Sequence, residues 1–220
     1  MRKINKSTIL AQKYKEWLDG FTQNGEDHPP YTSSKGTYYY DIVANLLWIQ
    51  KGLCAYSERK LQDCTLFHPE NWVDGVYPKF EFAGQLDHFD ADQKERYGWS
   101  WENFFLIDSD INMKRKRANR PSGILKPDLL NYEATTFLEY DASIHCFIPN
   151  RAQDFDTQEI IRKDISYLGL NFQPIIDIRK DYLAPLIFDV KYKVKSFEEV
   201  KSNLTQFFTA FELSHEYINQ

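Results

Sequence analysis

The chain has 220 residues, of which 42% are hydrophobic and 27% are charged. This mixture is typical of a soluble globular protein with one elaborated domain or two small ones. The net charge of -5 argues against broad, charge-driven binding to nucleic acid, because such proteins carry a positive excess, although it leaves room for a small basic cleft on an acidic body.

The N-terminal part of the chain is predicted to be mainly helical. Apolar residues at helical spacing predict a helix over residues 7–19 that ends at Gly20. Residues 23–37 are rich in Gly, Pro, Asp, Asn and Ser, which predicts a connecting loop. A second helix is predicted over residues 38–51, before Gly52, because its apolar side chains form one broad face.

The middle of the chain is predicted to be irregular. Residues 53–106 predict short strands and loops, with a polar stretch between them. A helix is expected to begin near Asp108 to Asp110 and to carry the basic run that follows. Residues 121–150 contain three prolines and a glycine, and predict loop and short strands.

Helices dominate the prediction again after residue 150. One helix is expected to begin at Asp156 or the next residue, with Asp156 as its cap, and to end at Gly169. Another is predicted near residues 173–184. Residues 187–194 alternate apolar and charged side chains, which favours a half-buried strand.

The last predicted element is a helix that starts with a capping box. Ser196 is followed three positions later by Glu199, the spacing at which the two side chains cap a helix start reciprocally. The apolar residues expected to face inward are Val200, Leu204, Phe207, Phe208 and Phe211. The C-terminal region is therefore predicted to be mainly helical.

Targeting signals and cysteines favour a cytoplasmic protein. No stretch is apolar and long enough to cross a bilayer, and the N-terminal segment lacks the continuous apolar core of a signal peptide. Cys54, Cys64 and Cys146 are few, odd in number and outside any CxxC pair, which predicts reduced, buried thiols.

Four residues between positions 87 and 112 supply the groups that phosphodiester hydrolysis needs. His88 is suited to be the general base that activates water, because the unperturbed pKa of histidine is about 6.5. Asp87 and Asn112 supply oxygen ligands for a divalent cation. Asn103 could fix the intervening loop by hydrogen bonds. Successive strand side chains point to opposite faces, so Asp87 and His88 need a bend or a strand end to share one site.

The spacing of these residues resembles the HNH, or His-Me finger, motif of metal-dependent nucleases. Asp87-His88 is followed by Asn103 after 15 positions and by Asn112 after nine more. The resemblance implies a two-stranded hairpin and a helix that grip one Mg²⁺ or Mn²⁺ ion. It implies His88 and Asn103 as catalytic residues, with Asn103 constraining the catalytic loop, and Asp87 and Asn112 as metal ligands. Lys114 follows Asn112 closely, as a lysine does in the family.

Segments outside the motif are similar to one bacterial branch of this family. Residues 53–58, LCAYSE, resemble its CAYCE segment, residues 124–128 resemble its L-x-P segment, and residues 168–171, LGLN, followed by Arg179, resemble a helix-turn and a later arginine. That branch includes the HNH component of Septu-type anti-phage systems and of some retrons. The resemblance implies an ABC/SMC-like ATPase as partner.

The cysteines depart from the family pattern. Many members bind a structural zinc through two CxxC knuckles, for which a tetrahedral site needs four good ligands. Of the four positions only Cys54 is a cysteine, and the others are Ser57, Asp108 and Ile111. We therefore expect no structural zinc, with the hairpin stabilised instead by aromatic packing. The aromatic residues expected to do so are Phe80, Phe82, Trp99, Trp101 and Phe104.

A basic cluster follows the predicted metal ligand Asn112. Lys114, Arg115, Lys116 and Arg117 form its core, and they are assigned to contact with the substrate phosphates. The alternative is a solvated helix face with no ligand. Among the four, Lys114 is the strongest single candidate.

Together, the sequence predicts an α+β protein with a ββα-metal core and flanking helices. Its regions are an N-terminal helical region (1–50), an HNH nuclease core (51–125) and a mainly helical C-terminal region (126–220). The predicted activity is cleavage of nucleic acid, with DNA favoured over RNA, in anti-phage defence beside an ATPase. The alternatives are a stand-alone restriction-like or RNA-cutting nuclease and a non-catalytic interaction subunit.

Overall fold

The computed structural model describes residues 1–27, 29, 31, 36–116 and 119–219 and has a mixed α+β architecture. The helices are α1 (Gln12–Asn24), α2 (Tyr39–Ile49), α3 (Gln93–Arg96), α4 (Ser109–Ile111), α5 (Ala134–Phe137), α6 (Phe155–Tyr167), α7 (Gln173–Lys191), α8 (Phe197–Ser202), α9 (Phe208–Leu213) and α10 (His215–Ile218). The strands are β1 (Gln85–His88), β2 (Phe104–Ile107), β3 (Leu138–Asp141) and β4 (Cys146–Pro149). Short 3-10 helices lie at Cys64–Phe67, Pro69–Asn71 and Trp101–Asn103, and a π-helical segment lies at Asn112–Lys116.

The β1–β2 hairpin separates two apolar clusters. The strands are antiparallel, with Leu86 opposite Leu106 and His88 opposite Phe104. Alternate side chains point to opposite faces, so Phe104 and Leu106 pack with the N-terminal helices α1 and α2, whereas Phe105 packs with the C-terminal helices. The first group, which includes Tyr14, Leu46, Trp99 and Trp101, is called the N-terminal cluster; the second, which includes Tyr56, Ile161, Leu183 and Phe211, is called the C-terminal cluster.

The aromatic residues that the sequence assigned to the hairpin lie in the N-terminal cluster. Trp99, Trp101 and Phe104 are buried there, and Phe80 and Phe82 pack against it. The outer edge of β2 is covered as well. The Gln50 side chain donates to the Leu106 carbonyl at 2.8 Å and accepts from the Leu106 amide at 3.0 Å, so it replaces a neighbouring strand.

Helix α1 differs from its predicted range at both ends. It begins at Gln12, where Asn45 of α2 accepts hydrogen bonds from the backbone amides just before it. It continues through Gly20 and ends at Asn24, because Gly25 adopts the left-handed conformation that closes a helix. The prediction that Gly20 ends the helix is wrong.

The predicted helix over 38–51 is confirmed as α2. Six residues of the predicted loop 23–37 lie outside the described residues.

Two predictions for the C-terminal helices need correction. The cap of α6 is Asp154, whose carboxylate accepts from the Thr157 amide at 3.0 Å, rather than Asp156. Residues 187–191 belong to α7 rather than to a strand. The buried residues of α7 recur every fourth position, as in a helix, whereas the alternating apolar side chains that suggested a strand, such as Phe188 and Tyr192, are exposed. The buried positions are Ile175, Arg179, Leu183 and Ile187.

The predicted final helix is divided into two. Ser196 caps α8 through the Glu199 amide at 3.1 Å, which confirms the predicted helix start. The helix then ends at Ser202, and α9 begins only at Phe208, after Phe207 in a left-handed conformation. Buried Glu58 causes this break, because its carbonyl and its carboxylate accept from the backbone amides of the segment that starts α9.

The second hairpin, β3–β4, is joined to the C-terminal helices by polar contacts. The Asn171 side chain pairs with both backbone groups of Phe147, at 2.9 and 2.7 Å. Arg179 is fully buried and donates to the carbonyl oxygens of His145 and Leu170. The family resemblance singles out both residues, and in the structure both form hydrogen bonds to backbone groups. Cys54 is buried, whereas Cys64 and Cys146 are partly exposed, which corrects the expectation of three buried thiols.

Among the described residues, no helix has the length and apolar character needed to span a lipid bilayer.

Two glycines give a test of the corrected helix boundaries. A Cβ at Gly20, inside α1, would meet nothing within 4 Å, so Gly20→Ala should raise the free energy of unfolding by about 0.5–1 kcal/mol. Gly52 has φ +71 and its Cβ would collide with the Gln62 carbonyl oxygen, so Gly52→Ala should lower the free energy of unfolding by more than about 2 kcal/mol. Urea unfolding measures both. Destabilisation by Gly20→Ala would contradict the extended α1.

Candidate active site

Asp87 and His88 lie at the end of β1, on opposite faces of the hairpin. His88 is the last residue of the strand, and its ring contacts Phe104, its partner across the hairpin, at 4.9 Å between centroids. Asp87 is opposite Phe105 and faces Tyr56 in the C-terminal cluster. The strand end is present, as the sequence argument required. The two side chains nevertheless point into different surroundings.

The His88 imidazole is held in a mostly apolar pocket. Its Nε2 donates to the Gly98 carbonyl oxygen at 2.8 Å, because a carbonyl can only accept, and this leaves Nδ1 as the basic nitrogen. Tyr31 lies edge-on against the ring at 4.7 Å. Burial lowers the pKa of His88 to about 4, and the Gly98 hydrogen bond only partly offsets this effect. The imidazole is therefore neutral at pH 7, the form that can accept a proton.

The Asp87 carboxylate is buried beside two polar side chains. Tyr56 donates its hydroxyl to Asp87 Oδ2 at 2.6 Å, and the ammonium of Lys116 lies 4.0 Å from the same oxygen. Burial raises the pKa of Asp87 to about 6, although Lys116 and Tyr56 lower it. The carboxylate is thus mostly ionised at neutral pH. Its nearest cation is an ammonium with no access to solvent.

Asn112 lies on the same face of the hairpin as Asp87. It begins the π-helical segment, and its amide NH₂ donates to Gln85 Oε1 at 3.1 Å. Gln85 is two residues before Asp87, on the same face and about 7 Å along the strand. Because the hydrogen bond uses the amide nitrogen, the oxygen of Asn112 is the end that can bind a cation.

Asn103 fastens the loop that follows His88. Its side-chain oxygen accepts from the Asp90 amide at 2.7 Å, and its NH₂ group donates to the Asp90 carbonyl at 2.9 Å. Its backbone carbonyl accepts from Phe89 at 2.8 Å. Asn103 is buried, so these bonds hold the chain direction just after the strand end. It contacts the loop and not the imidazole.

The oxygen donors on the Asp87 face suit a hard divalent cation. Asp87 offers a carboxylate and Asn112 an amide oxygen, and Mg²⁺ takes such ligands together with several waters. Within the described ranges, no three His, Cys, Asp or Glu side chains are grouped closely enough to hold a metal. An ion at this face would therefore rely on amide oxygen and water. The donor set fits magnesium or manganese better than zinc.

The positions aligned with zinc knuckles form a hydrogen-bonded cluster around Cys54. The buried sulfur of Cys54 accepts from the Asp108 amide at 3.3 Å and from the Ser57 amide at 3.5 Å. The Asp108 carboxylate pairs with Arg59 at 2.6 Å. Ile111 is fully buried in the same apolar cluster as Cys54. Ordinary hydrogen bonds and packing thus hold these segments together.

The basic cluster does not act as one surface. Lys114 and Arg115 are exposed and lie over the Phe172 ring at 5.9 and 4.9 Å. Lys116 is buried, so its assignment as one of a row of exposed phosphate contacts needs correction. The π-helical turn directs it inward, where its ammonium donates to the carbonyls of His88 and Asn119. Arg117 lies outside the described residues.

Sequence reasoning missed the roles of Tyr56 and Gly98 at this site and the inward orientation of Lys116. Tyr56 was noted only as part of a resembling segment, and a tyrosine in an apolar stretch is more typical of a core. Gly98, whose carbonyl orients His88, carries no signal because a backbone acceptor is common to every residue. The inward position of Lys116 depends on the π-helical turn.

No family model matches this chain, and no curated protein matches it.

The buried state of His88 has a measurable consequence for stability. The folded protein disfavours the imidazolium, so the unfolded chain takes up this proton first as the pH falls from 7 to 4. Because the folded pKa of His88 is about 4, protonation of His88 should lower the free energy of unfolding by about 3 kcal/mol over that range. His88→Phe cannot show this loss, and Asp87 contributes to both proteins alike.

Urea unfolding of wild type and His88→Phe at the two pH values measures this effect. Between pH 7 and pH 4, the unfolding free energy of the variant minus that of wild type should increase by about 3 kcal/mol. A difference that stays constant with pH would show that His88 is solvated in the folded protein.

Proposed function

We propose that this chain is an HNH-type, metal-dependent endonuclease that hydrolyses phosphodiester bonds of nucleic acid, with DNA favoured as substrate. The observation that supports this best is the shared face of Asp87 and Asn112, with a neutral His88 next in the chain at the strand end, on the opposite face of the hairpin. The hairpin followed by a helical segment is also the order of elements that the sequence resemblance implied.

In this proposal His88 accepts the proton of the attacking water at Nδ1. Its Nε2–H group keeps donating to the Gly98 carbonyl oxygen, which stabilises the imidazolium that forms. The His88 ring and the Asp87 carboxylate lie on opposite faces of the hairpin, so in this proposal the attacking water reaches Nδ1 around the end of β1. Catalytic contacts commonly tighten only when substrate is bound. Asn103 keeps the loop after His88 in place during this change.

Asp87 and Asn112 would hold the divalent cation, which supplies charge stabilisation for the phosphate and the leaving 3′ oxygen. The expected products carry 5′-phosphate and 3′-hydroxyl ends. Exposed Lys114 and Arg115 would contact the phosphate backbone near this face. Since the whole chain has a net charge of -5, a partner such as an ABC/SMC-like ATPase would supply further affinity for nucleic acid, in anti-phage defence.

Removing the proposed general base tests the activity directly. Wild-type protein with Mg²⁺ or Mn²⁺, alone or with a candidate ATPase, should cut DNA, and His88→Ala should cut it about 100-fold to 10,000-fold more slowly. His68→Ala, which removes an exposed histidine paired with Glu70, is the matched control and should cut normally. Gel analysis of end-labelled DNA measures the rates.

Two results would contradict the nuclease proposal. One is undiminished cutting by His88→Ala. The other is a wild-type protein that never cuts DNA or RNA with either metal and with every candidate partner, which would favour the non-catalytic interaction subunit. Robust cutting by the chain alone would instead remove the need for an ATPase partner.

The exposed basic residues make a separate prediction about affinity. The double variant Lys114→Ala/Arg115→Ala should bind DNA more weakly, and the slope of log affinity against log salt should fall by about 1 for each lost phosphate contact. Lys13→Ala, an exposed lysine of α1 paired with Glu16, is the control and should keep the wild-type slope. Fluorescence anisotropy at several salt concentrations measures the slope. An unchanged slope in the double variant would show that these two residues do not contact DNA.

A further inference from the structure

Lys116 is a charged residue at the candidate site to which the proposed mechanism gives no role. Its side chain has no solvent exposure, although lysine is almost never fully buried unless it is paired. Its ammonium donates to the His88 carbonyl at 3.2 Å and to the Asn119 carbonyl at 3.0 Å, and lies 4.0 Å from Asp87 Oδ2. It therefore touches the backbone of the proposed base and sits beside the proposed metal ligand.

The position of Lys116 is set by the same segment that positions Asn112. The two residues are the first and last of the π-helical segment, so one turn of chain carries the second proposed ligand and this ammonium to the same hairpin. Single π-helical turns are often found at functional sites. The exposed residues between them, Met113 to Arg115, point away from the buried face.

A divalent cation bound to Asp87 would meet this ammonium. An ion at a coordination distance of about 2 Å from Asp87 Oδ2 would lie at most about 6 Å from an ammonium that is 4.0 Å from the same oxygen. Two cations at that separation repel strongly in a buried site, where solvent screening is weak. The other partners of Lys116 are two neutral carbonyl oxygens, which hold an ammonium less firmly than a carboxylate does.

We propose that Lys116 is a positioning residue that occupies the cation position beside Asp87 before metal binds, and turns to the scissile phosphate once the metal displaces it. This inference rests on the proposed function, because it takes Asp87 as a metal ligand. Lys116 thereby keeps the buried carboxylate neutralised between turnovers. It also supplies a second positive charge where the phosphate gains negative charge.

The test measures metal affinity and cleavage separately in two variants. Lys116→Met removes the charge and keeps the apolar stem, and Lys116→Gln keeps hydrogen-bonding capacity, so at least one should fold if the other does not. Both should bind Mn²⁺ about tenfold tighter or more than wild type, because a competing cation is gone. Both should also cleave DNA at saturating Mn²⁺ about tenfold more slowly or worse. Calorimetry with Mn²⁺ alone and thermal melting accompany the cleavage assay.

Lys6→Met is the matched control, since Lys6 is also a buried lysine that donates to two carbonyl oxygens, those of Trp101 and Phe104, beside the carboxylate of Asp128. It should leave Mn²⁺ affinity unchanged. A purely structural role for Lys116 would weaken metal binding and cleavage together, whereas the proposal requires them to move in opposite directions.

The outcomes separate this inference from the proposed function. If wild type binds Mn²⁺ and cuts DNA, but the Lys116 variants bind Mn²⁺ equally or more weakly, the positioning role is overturned and the nuclease stands. If neither wild type, Lys116→Met nor Lys116→Gln binds Mn²⁺, and none cuts, both proposals fall.

Discussion

The alternation of side chains along the β1–β2 hairpin is the constraint on which the rest of the structure depends. The hairpin separates two apolar clusters, so each side chain of β1 packs in the cluster on the face to which it points. Adjacent residues Asp87 and His88 therefore enter different surroundings. Burial moves their pKa values towards and past each other, to about 6 for the acid and about 4 for the base. At neutral pH the imidazole of His88 is therefore neutral and the carboxylate of Asp87 is mostly ionised.

Burial of Asp87 and His88 is unfavourable, but the backbone groups and edges of the hairpin are hydrogen-bonded by several other residues. Gln50 covers one edge of β2, and Asn103 fastens the loop at the end of β1. The Cys54 sulfur accepts a hydrogen bond from the Asp108 amide directly after β2, so the helical segment leaves the strand in a fixed direction. These bonds are local and mostly neutral. They direct the segment that carries Asn112 along the face of the hairpin on which Gln85 and Asp87 lie.

Sequence reasoning predicted the elements whose cause is local and missed those set by distant contacts. Helix α2 follows from its own apolar face, and α8 starts where Ser196 can cap it. The break before α9 depends on Glu58, which lies about 150 positions away in the chain. The four residues of the candidate site could be chosen from spacing and chemistry. That Asp87 and His88 point to opposite faces also follows from the alternation of a strand. Which apolar cluster each face meets depends on the distant helices packed there.

The buried polar network around Asp87 is difficult to explain as a stabilising device. Taking a carboxylate, a tyrosine hydroxyl and an ammonium out of water costs free energy that their mutual contacts only partly return, and apolar side chains of similar size often stabilise a core as well or better. Lys116 adds a further cost, because a long, flexible side chain loses its rotamer freedom when buried. The surrounding residues, Tyr56, Phe89 and Phe105, already pack as an aromatic core. Structural stability alone thus does not account for two opposite charges at this position, whereas the proposed cation site would account for them.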